Sequence, residues 1–433
     1  MSYLSILIAM LALLPGQVQE EDLRSLSGMS DPDIAAVEDN QTLDPGNAQF
    51  RKILYRTGTV DPVVMRQWAS RSDGTSVDQI AAHPSEFRFH PFSMDANVQS
   101  ISRYDYSAEN AKNFFEGFYI AKCETTEGQP FVLVSRSSVS SWPLGKELPA
   151  AQLIQFSGFF LGNLAMESGS EPLPVFVARR FAWYPTTENE SLQIDAGKIA
   201  LAKAGVDISL LDIVKAQKGK PIANRESICF WQMLAACSKP TGPSVSNPIG
   251  FASMLRDPID SVGKAASIQG RIRQCVPVKI TEAEPIELLG TDTWYQLTIF
   301  PDLDGRPIKV ATRDGEPEVY KNAFPVTVCV TKLPAEFNSE SIVGSTFVFD
   351  GFFYRIWSYP SERTEKSSLD GQPSPLMMAS TMRMVKSTSG QLQTFLMAII
   401  LAMVIAVAVV GWYVFKSKKI APRKELPETI DAW

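Results

Sequence analysis

Histidine is nearly absent. The 433-residue chain holds two, His83 and His90. His-based triads and ordinary zinc sites therefore have little to draw on. Cysteine is sparse too. Cys123, Cys229, Cys237, Cys275 and Cys329 contain no C-x-x-C pair, which argues against a redox dithiol or a disulfide scaffold. Five is an odd number, so at least one thiol has no intrachain bridge, and the apolar contexts of several suit small buried hydrophobes. Positive charge is also short. Lys and Arg number 41 against 47 acidic residues, for a net charge of −6. A broad basic nucleic-acid footprint is not expected from that balance. The chain lacks G-x-x-x-x-G-K-[ST], G-x-G-x-x-G and G-x-S-x-G, so nucleotide cradles and hydrolase elbows have no support. Asp302-Leu303-Asp304-Gly305 begins like a calcium loop, but Arg306, Pro307 and Ile308 follow, and a plain turn is expected. Glu282/Glu284 and Glu316/Glu318 are acidic pairs beside prolines, in loop-like stretches. No catalytic residue, cofactor or metal is expected from these patterns.

Long hydrophobic runs are scarce, and the two present set the organisation. Tyr3 to Leu14 is apolar and ends at Pro15-Gly16. That run is short for a bilayer span and fits a signal-peptide core within residues 1–19, although no Lys or Arg precedes it. Phe395 to Phe415 carries no charge over 21 residues. At 1.5 Å per residue it covers roughly 30 Å, one hydrocarbon core. Trp412 and Tyr413 stand at its end, and Lys416, Lys418, Lys419, Arg423 and Lys424 follow. The excess of Lys and Arg on that side predicts a cytoplasmic tail over 416–433 and an extracytoplasmic N-terminal part. The expected partner of the span is the lipid bilayer. Ala398, Ala402 and Ala406 recur every four residues along it, a stripe suited to close helix packing.

Between these runs the chain repeats itself. Ile154-Gln-Phe156-Ser-Gly158-Phe-Phe160 recurs as Phe347-Val-Phe349-Asp-Gly351-Phe-Phe353. Upstream, the block from Pro130 to Trp142 aligns without a gap on the block from Pro325 to Phe337. Downstream, the block from Pro174 to Tyr184 meets the block from Pro375 to Val385. The segment 116–122 sits where 293–299 does. Blocks in the same order point to a duplication. Each reads as a strand, as Val326, Val328 and Val330 alternate with Thr327, Cys329 and Thr331. Gly158 and Gly351 fall mid-strand, where a glycine marks a bend, a bulge or a close backbone approach. By parity Phe156, Gly158 and Phe160 share one face, as do Phe349, Gly351 and Phe353. The opposite face, with Phe159 and Phe352, is expected to pack on a preceding helix, with a binding face as the alternative.

The predicted fold is mainly β with short helices. It has two duplicated small β-barrel units, OB-like in preference to a Greek-key sandwich, and one C-terminal transmembrane helix. The expected domains are a signal peptide at 1–19, a flexible linker at 20–47 and a first helix plus barrel at 48–187. Connecting helices and a second barrel follow at 188–386, then the span at 395–415 and the tail at 416–433. A helix over Ala48–Tyr55 leads the first barrel, and one over Arg225–Cys237 leads the second, with Ile228, Trp231, Gln232 and Ala235 at helical spacing.

A strand running into Gly-Phe-Phe, behind a Pro-led strand ending in Trp or Phe, resembles uncharacterised planctomycete-type envelope proteins with tandem OB-like units. The resemblance covers about residues 45–415. It implies an N-terminal signal, a C-terminal membrane helix and an envelope location, and no activity. The expected function is a single-pass extracytoplasmic interaction or scaffold protein. The alternative is a membrane-anchored small-ligand or glycan receptor. A protein partner or self-association is expected, and nucleic acid is not. Were nucleic acid bound, Arg179, Arg180, Arg271 and Arg273 are the basic residues available for it.

Overall fold

A computed structural model describes residues 28–60, 62–69, 74–107, 115–239, 246–303, 305–310, 316–361, 371–385 and 389–418. The expected signal segment, 1–19, and the tail beyond Lys418 lie outside the described residues. The chain forms two units, Met1–Arg383 and Met384–Trp433.

The first unit opens with short helices α1 (Asp31–Ala35), α2 (Ala48–Thr57), α3 (Pro62–Ala69), α4 (Val77–Ala82) and α5 (Pro84–Phe87). The starts of α2 and α4 are capped locally. Asn47 accepts the Gln49 N–H at 2.7 Å, and Ser76 and Gln79 form a reciprocal capping box. Phe50, Ile53, Leu54 and Thr57 repeat at helical spacing and form the buried stripe of α2.

The first barrel follows, with β1 (Pro91–Asp105), β2 (Gly117–Thr125), β3 (Pro130–Ser135), β4 (Lys146–Leu164) and β5 (Leu173–Trp183). The strands close in the order β1-β2-β3-β5-β4. A connecting segment carries α6 (Ala196–Lys203), α7 (Leu211–Lys215), α8 (Ser227–Ser238) and α9 (Phe251–Arg256). The second barrel begins with β6 (Ala265–Lys279), α10 (Ala283–Leu289) and β7 (Thr293–Phe300). A hairpin of β8 (Ile308–Val310) and β9 (Glu318–Tyr320) is inserted, and β10 (Val326–Val330), β11 (Thr346–Tyr359) and β12 (Gln372–Met384) complete it. Its cyclic order is β6-β7-β10-β12-β11. This is the order of the first barrel position for position. In both, the third and fifth strands run parallel, β3 beside β5 and β10 beside β12, while the other described pairs are antiparallel. The molecule is thus mainly β with two five-stranded OB-type barrels, as the strand pattern predicts.

Alternation decides what each strand buries. Phe131 and Leu133 point into the first barrel, and Val132 and Val134 point out under the helices. Five rings fill the interior. Phe176 lies 5.4 Å from Phe131, 5.4 Å from Phe160, 5.8 Å from Phe156 and 5.9 Å from Phe92, centroid to centroid. Such edge and tilted contacts add to the burial of large apolar area. The matching register positions of the second barrel hold Ala266, Val326, Phe349, Phe353 and Met377, all buried. The interiors of both barrels and the connecting segment belong to one continuous cluster of buried side chains.

The sequence reading places residues 20–47 in a flexible linker. The described part, 28–47, is fastened to the first barrel instead. Met29 and Leu43 are buried, and Thr42 bridges Ala165 as a short parallel pair. The Leu43 N–H donates to the Ala165 carbonyl at 2.8 Å, and Arg88 holds both Asp39 and the Val37 carbonyl. Polar composition hid this, because a few well-spaced apolar side chains and paired backbone groups suffice to dock a strap.

Helix α8 occupies most of the expected span, Arg225–Cys237. It buries Cys229, Phe230, Met233, Leu234, Ala235, Ala236 and Cys237, so of the residues noted at helical spacing Ala235 is buried and Ile228 is exposed. Trp231 is half-buried, and the Gln232 Oε1 accepts the Asp207 N–H at 3.0 Å. A helix buried on most sides has no clear polar stripe from which to read its orientation.

The second unit is the helix α11 (Ser389–Lys418). Met397–Lys416 within it is long and apolar enough to cross a membrane. Ala398, Ala402 and Ala406 lie along it and are exposed, and the Lys416 Nζ sits 5.0 Å from the Trp412 ring centre.

Candidate functional site

The repeat residues come together within their own barrels. Phe156 and Phe160 on β4, and Phe349 and Phe353 on β11, are interior. Phe159 and Leu161 point outward under the N-terminal helices, and Phe352 and Tyr354 point toward the connecting segment. Gly158 sits opposite Phe92 of β1 and Ala178 of β5, and Gly351 sits opposite Ala266 of β6. A Cβ on Gly158 would overlap the Val177 carbonyl oxygen and lie 3.0 Å from the Ala178 Cβ. A Cβ on Gly351 would overlap the Met378 carbonyl oxygen and lie 2.7 Å from the Ala379 Cα. Both glycines therefore serve the same close approach of the fourth and fifth strands. Their role is architectural.

The connecting segment fastens itself to each barrel with one buried acid. Asp207 serves the first. It pairs with Arg180 of β5, takes the Trp183 N–H at 2.9 Å, and takes the Ser209 N–H and Oγ at 3.0 and 2.8 Å. Glu226 serves the second. Arg355 of β11 donates to it twice, at 2.8 and 2.6 Å, and the Tyr354 hydroxyl donates at 3.1 Å. The remaining Arg355 N–H groups reach the carbonyls of Lys220, Pro221 and Ile356. Arg355 and Glu226 are both fully buried. A buried pair survives only when its remaining hydrogen-bonding groups are met, as they are here. Of these residues only Arg180 is named by the sequence reading, and for a different role. An Arg two positions after Phe353, in the strand that carries Gly351, was the available signal.

The thiols are poorly suited to chemistry. Burial raises the thiols of Cys123, Cys229 and Cys329 far above the ordinary range, and that of Cys237 to about 12. Cys275 is half-exposed, and burial raises it to about 11. All five are free. Among the described residues no group of His, Cys, Asp and Glu could hold a metal ion. His83 caps the junction of α4 and α5, and His90 packs edge-on to Phe87 at 6.1 Å. Glu284 pairs with Arg66 at 3.2 Å, both exposed. An open cleft of about 570 Å³ lies between the start of the connecting segment and α6, lined by Glu188, Ile199 and Lys203 among others.

The basic residues named as nucleic-acid candidates part company. Arg180 is committed to Asp207. Arg271 donates to the Gly344 carbonyl at 2.8 Å, and Arg273 lies over the Phe300 ring at 6.0 Å. Arg179 is exposed on β5 and stands beside Arg136, a residue the sequence reading passed over.

No protein-family model matches the chain, and no curated protein matches it. Two similar solved structures are of single-stranded DNA-binding proteins. One is a deletion mutant of the single-stranded DNA binding protein from Thermus aquaticus, with TM-score 0.16 and 8% identity, covering 69% of this chain and 96% of that one. The other is a Replication Protein A heterotrimer bound to ssDNA, with TM-score 0.16 and 11% identity, covering 73% of this chain and 51% of that one. The expectation that nucleic acid is excluded as a partner is overturned by these neighbours. Net charge belongs to the whole chain, whereas binding follows the potential of one face. At these TM-scores the likeness carries nothing further about this chain.

Proposed function

We propose that the chain is a single-pass, membrane-anchored protein of the cell envelope that works by binding through its paired barrels, with no catalytic step of its own. The observation that carries this reading is the single core running through both barrels and the connecting segment. Two barrels locked together by Asp207 and Glu226 present their surfaces at a fixed spacing, which suits an interaction or scaffold protein. In the same reading residues 1–19 are a signal, the barrels are extracytoplasmic, and the tail 416–433 with its Lys-rich start is cytoplasmic. A duplicated ancestor accounts for the shared strand order and for Gly158 and Gly351 at one register position. The resemblance to planctomycete-type envelope proteins belongs to this reading as well. A small-ligand receptor is the alternative, with the cleft beside Glu188 as its site, but that cleft is open and offers little enclosure.

Crosslinking of the full chain in its own membrane, with and without nuclease, tests the proposal. The expected result is a discrete adduct of constant mass, and the nuclease arm shows whether its partner is nucleic acid. Recovery of the chain only as an uncrosslinked monomer, or substrate turnover by the purified chain, overturns it.

A further inference from the structure

The third and fifth strands of the first barrel bring two arginines together without an acid. In the parallel ladder, Val134 is level with Val177 and Ser135 with Ala178. The next position on each strand is Arg136 and Arg179. Val132, Val134, Val175 and Val177 precede them on the outward face, in the cluster that packs under α2. The two arginines thus end that face side by side, on neighbouring strands about 4.8 Å apart. Like charges so placed repel. Neither arginine has an ion pair or hydrogen bond to an acid among the described residues. The Arg136 guanidinium lies 4.6 Å from the centre of the half-buried Phe115 ring. Burial and the neighbouring Arg179 both weaken its hold on its proton. The end of α2 crowds it, since a Cβ on Gly58 would overlap its Nη1. A helix C-terminus offers partial negative charge, yet no hydrogen bond is made to it.

The second barrel shows that the fold has no need of this arrangement. Its matching ladder pairs Cys329 with Met378, so Thr331 and Ser380 occupy the corresponding positions. Both are neutral. The first barrel therefore holds an uncompensated pair of guanidinium forks where its twin holds two hydroxyls.

We infer that Arg136 and Arg179, with Phe115 at their side, form a binding site for a phosphate group. A tetrahedral phosphate presents acceptor oxygens to two forks at once; a free phosphate carries enough charge to relieve both, and a phosphodiester group carries one charge. The ring beside Arg136 adds a face for a planar or apolar neighbour of that phosphate. The phosphate can be free or part of a phosphodiester, and the experiment separates these sources.

Titration calorimetry on the full chain in uncharged detergent, with inorganic pyrophosphate in one arm and a short oligothymidylate in the other, tests the site. Saturable one-to-one binding is expected in at least one arm, weakened about tenfold by Arg136→Gln and by Arg179→Gln, the worth of one charge-assisted bond. The arm that binds more tightly assigns the source. Absence of binding in both arms, or equal affinity in the variants, overturns the inference. A melting measurement guards against a merely structural role. Without anion, Arg179→Gln should melt at the same temperature as the parent or higher, because repulsion is removed. With pyrophosphate only the parent should gain. If Arg179→Gln melts lower without anion, the arginine is a structural support and the inference fails.

Discussion

The two barrels use one strand order to solve two different packing problems. In the first, the outward face of the third and fifth strands is Val132, Val134, Val175 and Val177, covered by α2 and its neighbours. In the second, the same positions are Thr327, Cys329, Leu376 and Met378. There Cys237 of α8 donates to the Met378 carbonyl at 3.6 Å, and the Thr327 hydroxyl accepts from the Trp357 indole N–H and bonds the Ser374 hydroxyl. The first barrel fills its interior with phenylalanine, and the second replaces three of those rings by Ala266, Val326 and Met377. Backbone register thus survives large changes in side-chain volume, provided each layer is filled. The Gly at the fourth strand is kept in both because there the backbone itself is the neighbour.

The anchors differ in the same spirit, and four tests sharpen the contrast. The largest effect is expected at Arg355. Arg355→Met leaves Glu226 buried without its main partner and should cost about 3–5 kcal/mol in chemical denaturation. Arg180→Met should cost clearly less, because Arg180 is 30% exposed and Asp207 keeps its bonds from Trp183 and Ser209. Equal losses would mean that the two anchors are equivalent after all.

Next comes the pair of glycines. Gly351→Ala should destabilise by about 2–4 kcal/mol and Gly158→Ala by about 1–3 kcal/mol, through overpacking against the adjacent strand. The ranking follows the tighter approach at Gly351. Thermal melting of the two variants checks it, and a reversed order would show that the fifth strand yields more readily in the second barrel.

The N-terminal strap belongs to the first barrel alone. Lys52, with Ser30 and Gln49, holds the Asp33 carboxyl well below the usual carboxylate range. A carboxyl depressed in the folded state stabilises at pH above its unfolded value, about 4, and that stability is lost as pH falls through the folded value. The strap should therefore loosen only in acid, below about pH 4. Asp33→Asn should remove about 1–2 kcal/mol at neutral pH, the half-exposed Lys52 trimming the gain. Limited proteolysis near residues 28–47 across a pH series reads both effects.

The smallest effect concerns the thiols. Cys275, on the second barrel, should be alkylated first under native conditions, and slowly at neutral pH because burial raises its thiol to about 11. Cys123, inside the first barrel, should react only on unfolding. Mass mapping after brief iodoacetamide treatment gives the order, and earlier labelling of Cys123 would show that the first barrel opens locally.

Alternation and punctuation made much of this legible. Val326, Val328 and Val330 against Thr327 and Cys329 identify a strand, and proline marks its start, although the half-buried period misses that both of its faces are covered. The run from Phe395 to Phe415 identifies a helix fit for a membrane because length and apolarity are local properties. The Gly-Phe-Phe pair predicts equivalent strands because a mid-strand glycine reports on its immediate neighbour. The existence of helix α8 was legible, but its orientation was not, because its buried residues from Cys229 to Cys237 spread around much of the helix.

By itself, then, the sequence determined the mainly β character, the matching pair of strand sets, the apolar C-terminal helix and the scarcity of histidine and cysteine. Each follows from spacing along the chain. Only the tertiary structure decided that Glu226 meets Arg355 across 129 positions, that Asp207 meets Arg180, that residues 28–47 strap the first barrel, and that Arg136 stands beside Arg179. Charge pairing depends on distance in space, and strand order sets that distance. Composition averages a lone pair of arginines into a net negative chain, while the parallel ladder places them side by side.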